Sequence, residues 1–147
     1  MKKRILVVDD DEVVARLVTT ILKSATHYDV DTSTNPYEAY ARASSEPYDL
    51  LISDMRMPGL DGRQLYVCLG MDPQDCQMRV NRPKLLLMSG AVSEEVLAAA
   101  MAFVGGVSYI QKPFPPALLA AKVAAILGDI QDVAGDWMEA PEQQAAT

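Results

Sequence analysis

Ile5-Leu6-Val7-Val8-Asp9-Asp10-Asp11-Glu12 sets four consecutive apolar residues against four consecutive acids. A largely β-branched run with no polar alternation reads as a strand buried on both faces, the pattern of a parallel sheet rather than of one with a wet face. Beyond the acids, Val13, Val14, Leu17, Val18, Ile21 and Leu22 recur at helical spacing and give one apolar stripe. The opening segment is thus strand, acidic turn, amphipathic helix.

The same alternation continues along the chain. Residues 28–33 read as a weaker strand, and Asn35-Pro36 as a helix cap followed by proline at the first helical position. Leu50-Leu51-Ile52 is a third short buried strand, ended by Ser53-Asp54 and the turn-rich Met57-Pro58-Gly59-Leu60-Asp61-Gly62, where a third helix starts. Residues 84–88 form a fourth strand. Ser93 caps a helix carrying Val96, Leu97, Ala100, Met101 and Val104, which Gly105-Gly106 ends. Residues 107–110 are the fifth strand. Leu118, Leu119, Lys122, Val123, Ile126 and Leu127 make a fifth amphipathic helix, with the Lys122 stem laid along its stripe.

Parallel strands need crossover helices, so five strands alternating with five helices predict an α/β three-layer sandwich. The expected domain spans residues 1–128. Residues 129–147 are rich in Asp, Glu, Gln and Ala and contain Pro141, which reads as a C-terminal tail or linker with Trp137 as its one aromatic residue.

Bulk properties narrow the function classes. A chain of 147 residues is one domain's worth, able to bury roughly 68 to 70% of its unfolded surface. A net charge of -7 opposes polyanions, so no direct nucleic-acid contact by this domain is expected. Cys68 and Cys76 are too few for a disulfide framework and lack zinc-site spacing, which suits reduced thiols in the cytoplasm. Lys2-Lys3-Arg4 with the apolar run imitates a signal peptide, but Asp9 ends that run too early, and no stretch is long enough to span a bilayer.

In an open parallel sheet, ligands bind beyond the carboxyl ends of the strands. Asp9 and Asp10 follow strand one, Asp54 strand three, Ser89 strand four and Lys112 strand five, so residues scattered over the sequence converge on one edge. Three close carboxylates repel unless a cation neutralises them, and all-oxygen ligands suit a hard ion such as Mg²⁺. Lys112 adds a point charge for a phosphoryl oxygen and Ser89 a hydroxyl donor. A carboxylate can itself be the nucleophile in phosphoryl transfer.

Leu6-Val7-Val8-Asp9-Asp10, Ile52-Ser53-Asp54-Met55-Arg56-Met57-Pro58-Gly59 and Ile110-Gln111-Lys112-Pro113-Phe114 resemble the signature segments of response-regulator receiver domains, over residues 3 to about 127. The resemblance implies a flavodoxin-like sheet of order 2-1-3-4-5. It implies that Asp10 and Asp54 coordinate Mg²⁺ together with the Arg56 carbonyl, with Asp9 acting through water. It further implies that Asp54 takes a phosphoryl group from the phosphohistidine of a histidine kinase or histidine phosphotransfer protein, while Lys112 pairs with that group. Ser89 and Tyr109 would then act as switch residues, reshaping a face of the fourth helix, fifth strand and fifth helix where a partner or a second copy binds. Such a chain is no conventional enzyme, although it catalyses its own phosphorylation and dephosphorylation. Lys112-Pro113 is expected to be cis. Two features depart from the family pattern: a long link at 71–82, and Gly90 where alanine is usual, with Arg56 and Ala91 at variable positions that tune dephosphorylation.

Two alternatives compete. Asp9-Asp10-Asp11-Glu12-Val13 also fits the nucleophile loop of haloacid-dehalogenase-type phosphatases, with Asp9 attacking and Asp11 as the acid. That reading leaves the Met-x-Met-Pro-Gly and Lys-Pro-Phe segments without a role. A receiver-like interaction module that is never phosphorylated is the other, and the intact acidic set argues against it. His27, Met55, Met57 and Met88 are read as a surface residue and core filler, respectively.

Overall fold

The apolar runs at 5–8, 50–52 and 85–88 form strands, and alternate residues of each strand leave the sheet on opposite faces. The computed structural model of the chain describes residues 2–70, 83–90 and 107–128. The strands are β1 (Arg4–Val8), β2 (Asp29–Ser33), β3 (Leu50–Asp54), β4 (Lys84–Ser89) and β5 (Val107–Gln111). The helices are α1 (Glu12–Ala25), α2 (Pro36–Ser45), α3 (Gly62–Leu69) and α4 (Pro116–Leu127). All neighbouring strands are parallel, in the expected order β2-β1-β3-β4-β5.

Ile5, Val7, Leu50, Ile52, Leu86 and Met88 face one side, where Val18 and Leu22 of α1 and Leu119 and Val123 of α4 cover them. Leu6, Val8, Leu51, Leu85 and Leu87 face the other, under Ala39 and Ala43 of α2 and Leu65 and Leu69 of α3. The strict period of two along the largely apolar strands β1, β3 and β4 therefore builds two cores and three layers. The predicted helix over 93–104, the link at 71–82, Cys76, Ala91 and the tail with Trp137 lie outside the described residues.

One expectation needs correcting. Val13 and Leu17, counted in the α1 stripe, are 75% and 55% exposed. A helix faces a sheet over only one arc, and here Ala15, Val18 and Leu22 occupy it, flanked by the half-buried Val14 and Ile21. Leu118 at the edge of the α4 stripe is likewise exposed, and the small Ala120 and Ala124 are buried beside Leu119 and Val123. Residue type at helical spacing gives a stripe, whereas close approach selects its centre and admits alanine.

Three of the four described helices start with a side-chain cap, and α4, which follows Pro115, has none. Asp11 caps α1 by accepting from the Val13 N–H, and Asn35 caps α2 by accepting from Tyr37 and Glu38, with Pro36 at the first helical position. Asp61 and Gln64 form a reciprocal capping box on α3. Gly128 ends α4 in the left-handed conformation, at φ 74°.

At the amino-terminal edge, the Arg4 guanidinium lies 2.9 Å from Glu46 and 3.3 Å from Asp31, and 4.6 Å over the Tyr48 ring. Arg42 reaches Asp31 at 3.2 Å, and the Tyr48 hydroxyl donates to Asp31 at 2.8 Å. These contacts fasten the edge strand β2 to β1 and α2.

Two outcomes follow from this packing. Burial first, and donation to Asp31 second, push the Tyr48 phenol up to about 12. A raised phenol contributes stability that is whole below its unfolded value of about 10 and is lost as the pH climbs through the folded value. Urea unfolding should therefore show stability falling between about pH 10 and 12 in the unsubstituted chain. Tyr48→Phe, about 1 kcal/mol less stable at pH 7, should lack that step. Gly62 is held more tightly still, because a Cβ there would stand 2.5 Å from the Asp54 carbonyl oxygen and 2.9 Å from Ser53 Oγ. Gly62→Ala should lose about 3 kcal/mol in the same measurement, since backbone has no rotamer by which to yield.

Candidate functional site

The register of the sheet decides what meets at its carboxyl edge. Val8 lies opposite Ser33 and Ser53, Asp54 opposite Met88, and Ser89 opposite Gln111. Asp9 and Asp10 leave β1 at this edge, Asp54 is the last residue of β3, Ser89 the last of β4, and Lys112 follows β5 directly. Four of the five residues expected to converge at this edge thus come from strand ends or the first residue beyond them, and Asp10 from the second.

Lys112 occupies the centre. Its ammonium lies 3.0 Å from Asp54 Oδ1 and 3.2 Å from Asp9 Oδ2. Its own backbone N–H extends the β4–β5 ladder by donating to the Ser89 carbonyl at 2.7 Å, which fixes the root of the side chain. The Lys112-Pro113 peptide is cis, as the sequence resemblance implies.

Asp9 is almost wholly buried. Its backbone N–H donates to the Ser33 carbonyl at 3.2 Å, and its Oδ1 accepts the Asp11 N–H at 2.9 Å. Burial, with the nearby Asp54 charge adding to it, raises the Asp9 carboxyl above the ordinary range, while the Asp11 N–H and Lys112 pull the other way. For Lys112, burial lowers the ammonium, but hydrogen bonding and attraction to Asp54 and then Asp9 outweigh it and leave the group raised. Lys112 is therefore a held cation.

Asp9, Asp10 and Asp54 each offer a carboxylate oxygen within 4.8 Å of the others. Three carboxylates around one ammonium leave an excess of negative charge, and an all-oxygen set of this kind suits a hard divalent cation. Asp10 is exposed and Asp54 half-buried, so the cluster opens to solvent on one side.

The remaining predicted residues are placed around this centre. Ser89 is buried at the end of β4. Tyr109 is half-buried against the core that covers α2 and α3, and its carbonyl accepts from the Lys122 ammonium. Lys122 thus does more than lay its stem along the α4 stripe. Arg56 is exposed, Met57 and Met88 are buried, and Met55 packs against the core, while His27 is exposed. Beside Ser89, a Cβ on Gly90 would meet the Lys112 stem at 3.7 Å, an ordinary contact, so glycine leaves a methyl-sized gap there.

Sequence reasoning missed two neighbours of the site. Tyr37 of α2 lies against Gly59 in the loop after Asp54, and nothing in a residue 22 positions away marks that contact. Gly62, read only as a turn former, packs against the Asp54 carbonyl.

The comparisons agree with this geometry. A family model described as the response regulator receiver domain matches residues 5–124. The alkaline phosphatase synthesis transcriptional regulatory protein PhoP of Bacillus subtilis is 35% identical over 127 residues, covering 86% of this chain and 49% of its own. The transcriptional regulatory protein ResD of the same organism is 34% identical, over 84% of this chain and 48% of its own. The chain thus spans about half the length of these curated relatives. Among solved structures, the chemotaxis response regulator CheY4 of Vibrio cholerae aligns with a TM-score of 0.72 at 27% identity, covering 86% of this chain and 100% of that one. The sheet order agrees with the family match, which spans most of the chain, and this chain belongs to the response regulator receiver domain family of two-component systems.

Proposed function

We propose that this chain is the phospho-accepting receiver of a two-component or phosphorelay system, with Asp54 as acceptor and Mg²⁺ as cofactor. The observation that carries the reading is the Asp54 carboxylate at a strand end, with the Lys112 ammonium 3.0 Å away and the carboxylates of Asp9 and Asp10 beside it.

An Asp54 carboxylate oxygen attacks the phosphorus of a phosphohistidine on a histidine kinase or histidine phosphotransfer protein. The new O–P bond forms as the P–N bond breaks, and the imidazole nitrogen keeps the electron pair. The acyl phosphate is later hydrolysed by water, which returns the Asp54 carboxylate and releases inorganic phosphate. Asp10 and Asp54, with the Arg56 carbonyl, would hold Mg²⁺, and Asp9 would act through water. When bound, the ion neutralises charge on the transferring group. Lys112 pairs with a phosphoryl oxygen, trading part of its present contact with Asp54 for it. The domain is residues 1–128 followed by a tail or linker, it works in the cytoplasm, and it touches neither nucleic acid nor membrane. Among the described residues no helix is long and apolar enough to cross a membrane. Because the chain phosphorylates and dephosphorylates itself at one aspartate, it is a switch rather than a conventional enzyme. The roles of its relatives suggest gene regulation or chemotaxis as output classes.

The phosphatase alternative finds less support. Asp11, its required acid, is engaged in capping α1, and Asp9 is buried and ion-paired to Lys112. Incubation with acetyl phosphate and Mg²⁺ separates the two readings. The unsubstituted chain should gain one acid-stable but hydroxylamine-labile phosphoryl group on intact-mass spectrometry, and Asp54→Asn none. Labelling that survives Asp54→Asn and disappears in Asp9→Asn would favour the phosphatase.

The switch rests on position. Ser89 heads the chain toward 93–104, Tyr109 lies on β5, and Lys112 leads into α4. A phosphoryl group on Asp54 adds charge and acceptor oxygens that the Ser89 hydroxyl reaches only if its loop moves, vacating space for Tyr109. The surface of β5 and α4, together with the expected helix over 93–104 that lies outside the described residues, then favours a partner or a second copy, with a coupling of about 1 to 3 kcal/mol. A beryllofluoride adduct should shift amide NMR resonances across that face. Shifts confined to the Asp54 surroundings, or undiminished in Ser89→Ala, would defeat the switch.

A further inference from the structure

The loop between Asp54 and α3 is fastened at both ends and anchored to the core by Met57 and Leu60, and between those two anchors Pro58 and Gly59 stay exposed. The Met55 N–H donates to the Met88 carbonyl at 2.8 Å, and the Gly62 N–H returns to the Met55 carbonyl at 3.1 Å. Met57 is buried in the core that lies under α2 and α3. Beyond Met57 the chain turns through Pro58 and Gly59, both exposed, and Gly59 sits at φ 86° with no side chain of its own to anchor it.

What lies against this exposed turn comes from another layer. A Cβ built on Gly59 would meet the Tyr37 hydroxyl oxygen at 2.8 Å, Cε2 at 3.0 Å and Cζ at 3.3 Å, so all three nearest heavy atoms belong to one phenol. The root of that phenol is fixed, since the Tyr37 backbone N–H donates to the Asn35 Oδ1 cap at 2.9 Å and Pro36 is buried. The ring nevertheless leaves Tyr37 59% exposed. A large aromatic that packs little of itself in a core, yet lies edge-on against a left-handed glycine, restrains a loop more than it stabilises a fold.

The geometry points to Tyr37 as a positioning residue for the cation site: its ring, held by the α2 cap, braces Gly59 and so fixes the loop that carries the Arg56 carbonyl. This inference rests on the function proposed above, in which that carbonyl and the Asp10 and Asp54 carboxylates hold Mg²⁺. Outer groups that orient a ligand change metal affinity without touching the metal. Two constraints act on Gly59 together, because any L residue there would be strained at φ 86° and would collide with the ring.

The test is Mg²⁺ binding by isothermal titration calorimetry on the full chain without phosphoryl donor, with thermal midpoints in EDTA as the control for folding. Tyr37→Ala should bind Mg²⁺ about tenfold more weakly. Its midpoint in EDTA should match that of the unsubstituted chain, while the amide resonances of Arg56 and Gly59 move. Tyr37→Phe keeps the ring and should bind as the unsubstituted chain does. Equal affinity in Tyr37→Ala would overturn the inference and leave the receiver reading standing. A Tyr37→Phe variant as weak as Tyr37→Ala would also overturn it, because ring packing would then not be the restraint. If the unsubstituted chain binds no Mg²⁺, the reading of the site itself falls, and the role of Tyr37 falls with it.

Discussion

The Lys112 ammonium ties three strands together through one charge. It extends from the end of β5 and meets carboxylates at the ends of β3 and β1, 3.0 and 3.2 Å away. Without it, Asp9 would be an unpaired buried carboxylate facing Asp54, an arrangement whose desolvation is costly. The parallel sheet makes this cluster unavoidable, since every strand delivers its carboxyl end to the same edge. A site built from strand ends is also rigid, because each residue takes its direction from a hydrogen-bonded ladder.

Charge at that edge is balanced only in part. One ammonium among three carboxylates leaves room for further positive charge, and the most exposed member, Asp10, stands where a cation would enter. The buried Asp9 receives a backbone N–H as well as Lys112, so its carboxylate is fixed even though burial disfavours its charge. Under the proposed function, a phosphoryl group on Asp54 would offer Lys112 oxygens comparable to the one it now holds. The gap that Gly90 leaves beside the Lys112 stem gives that side chain somewhat more freedom than alanine would.

The opposite end of the sheet is built for permanence. Arg4, Asp31, Arg42, Glu46 and Tyr48 form a connected network across β1, β2, α2 and the link from α2 to β3, joined by hydrogen bonds as well as charge. Exposed ion pairs are weak individually, but here they hold the edge strand whose Ser33 carbonyl receives Asp9. The α1 surface differs again, since Val13 and Leu17 stay exposed beside the site, next to Glu12, Arg16 and Thr20.

Much of this was written into the order of residues. Apolar runs of three or four residues, ended by Asp9, by Ser53-Asp54 and by Ser89, specify buried parallel strands, and the rule that ligands gather at strand ends collects the site from positions far apart in the chain. The caps at Asp11, Asn35 and Asp61 are local, so the sequence alone determined where three helices begin. Periodicity could not say which part of a wide stripe a helix presses on its sheet, because that depends on how closely α1 approaches; Val13 and Leu17 therefore look buried in sequence and are exposed in space. Nor could it show that Tyr37 braces Gly59 or that Gly62 abuts the Asp54 carbonyl. Those contacts join separate elements at van der Waals distance, and such distances are set by the packing of layers, which no run of neighbouring residues encodes.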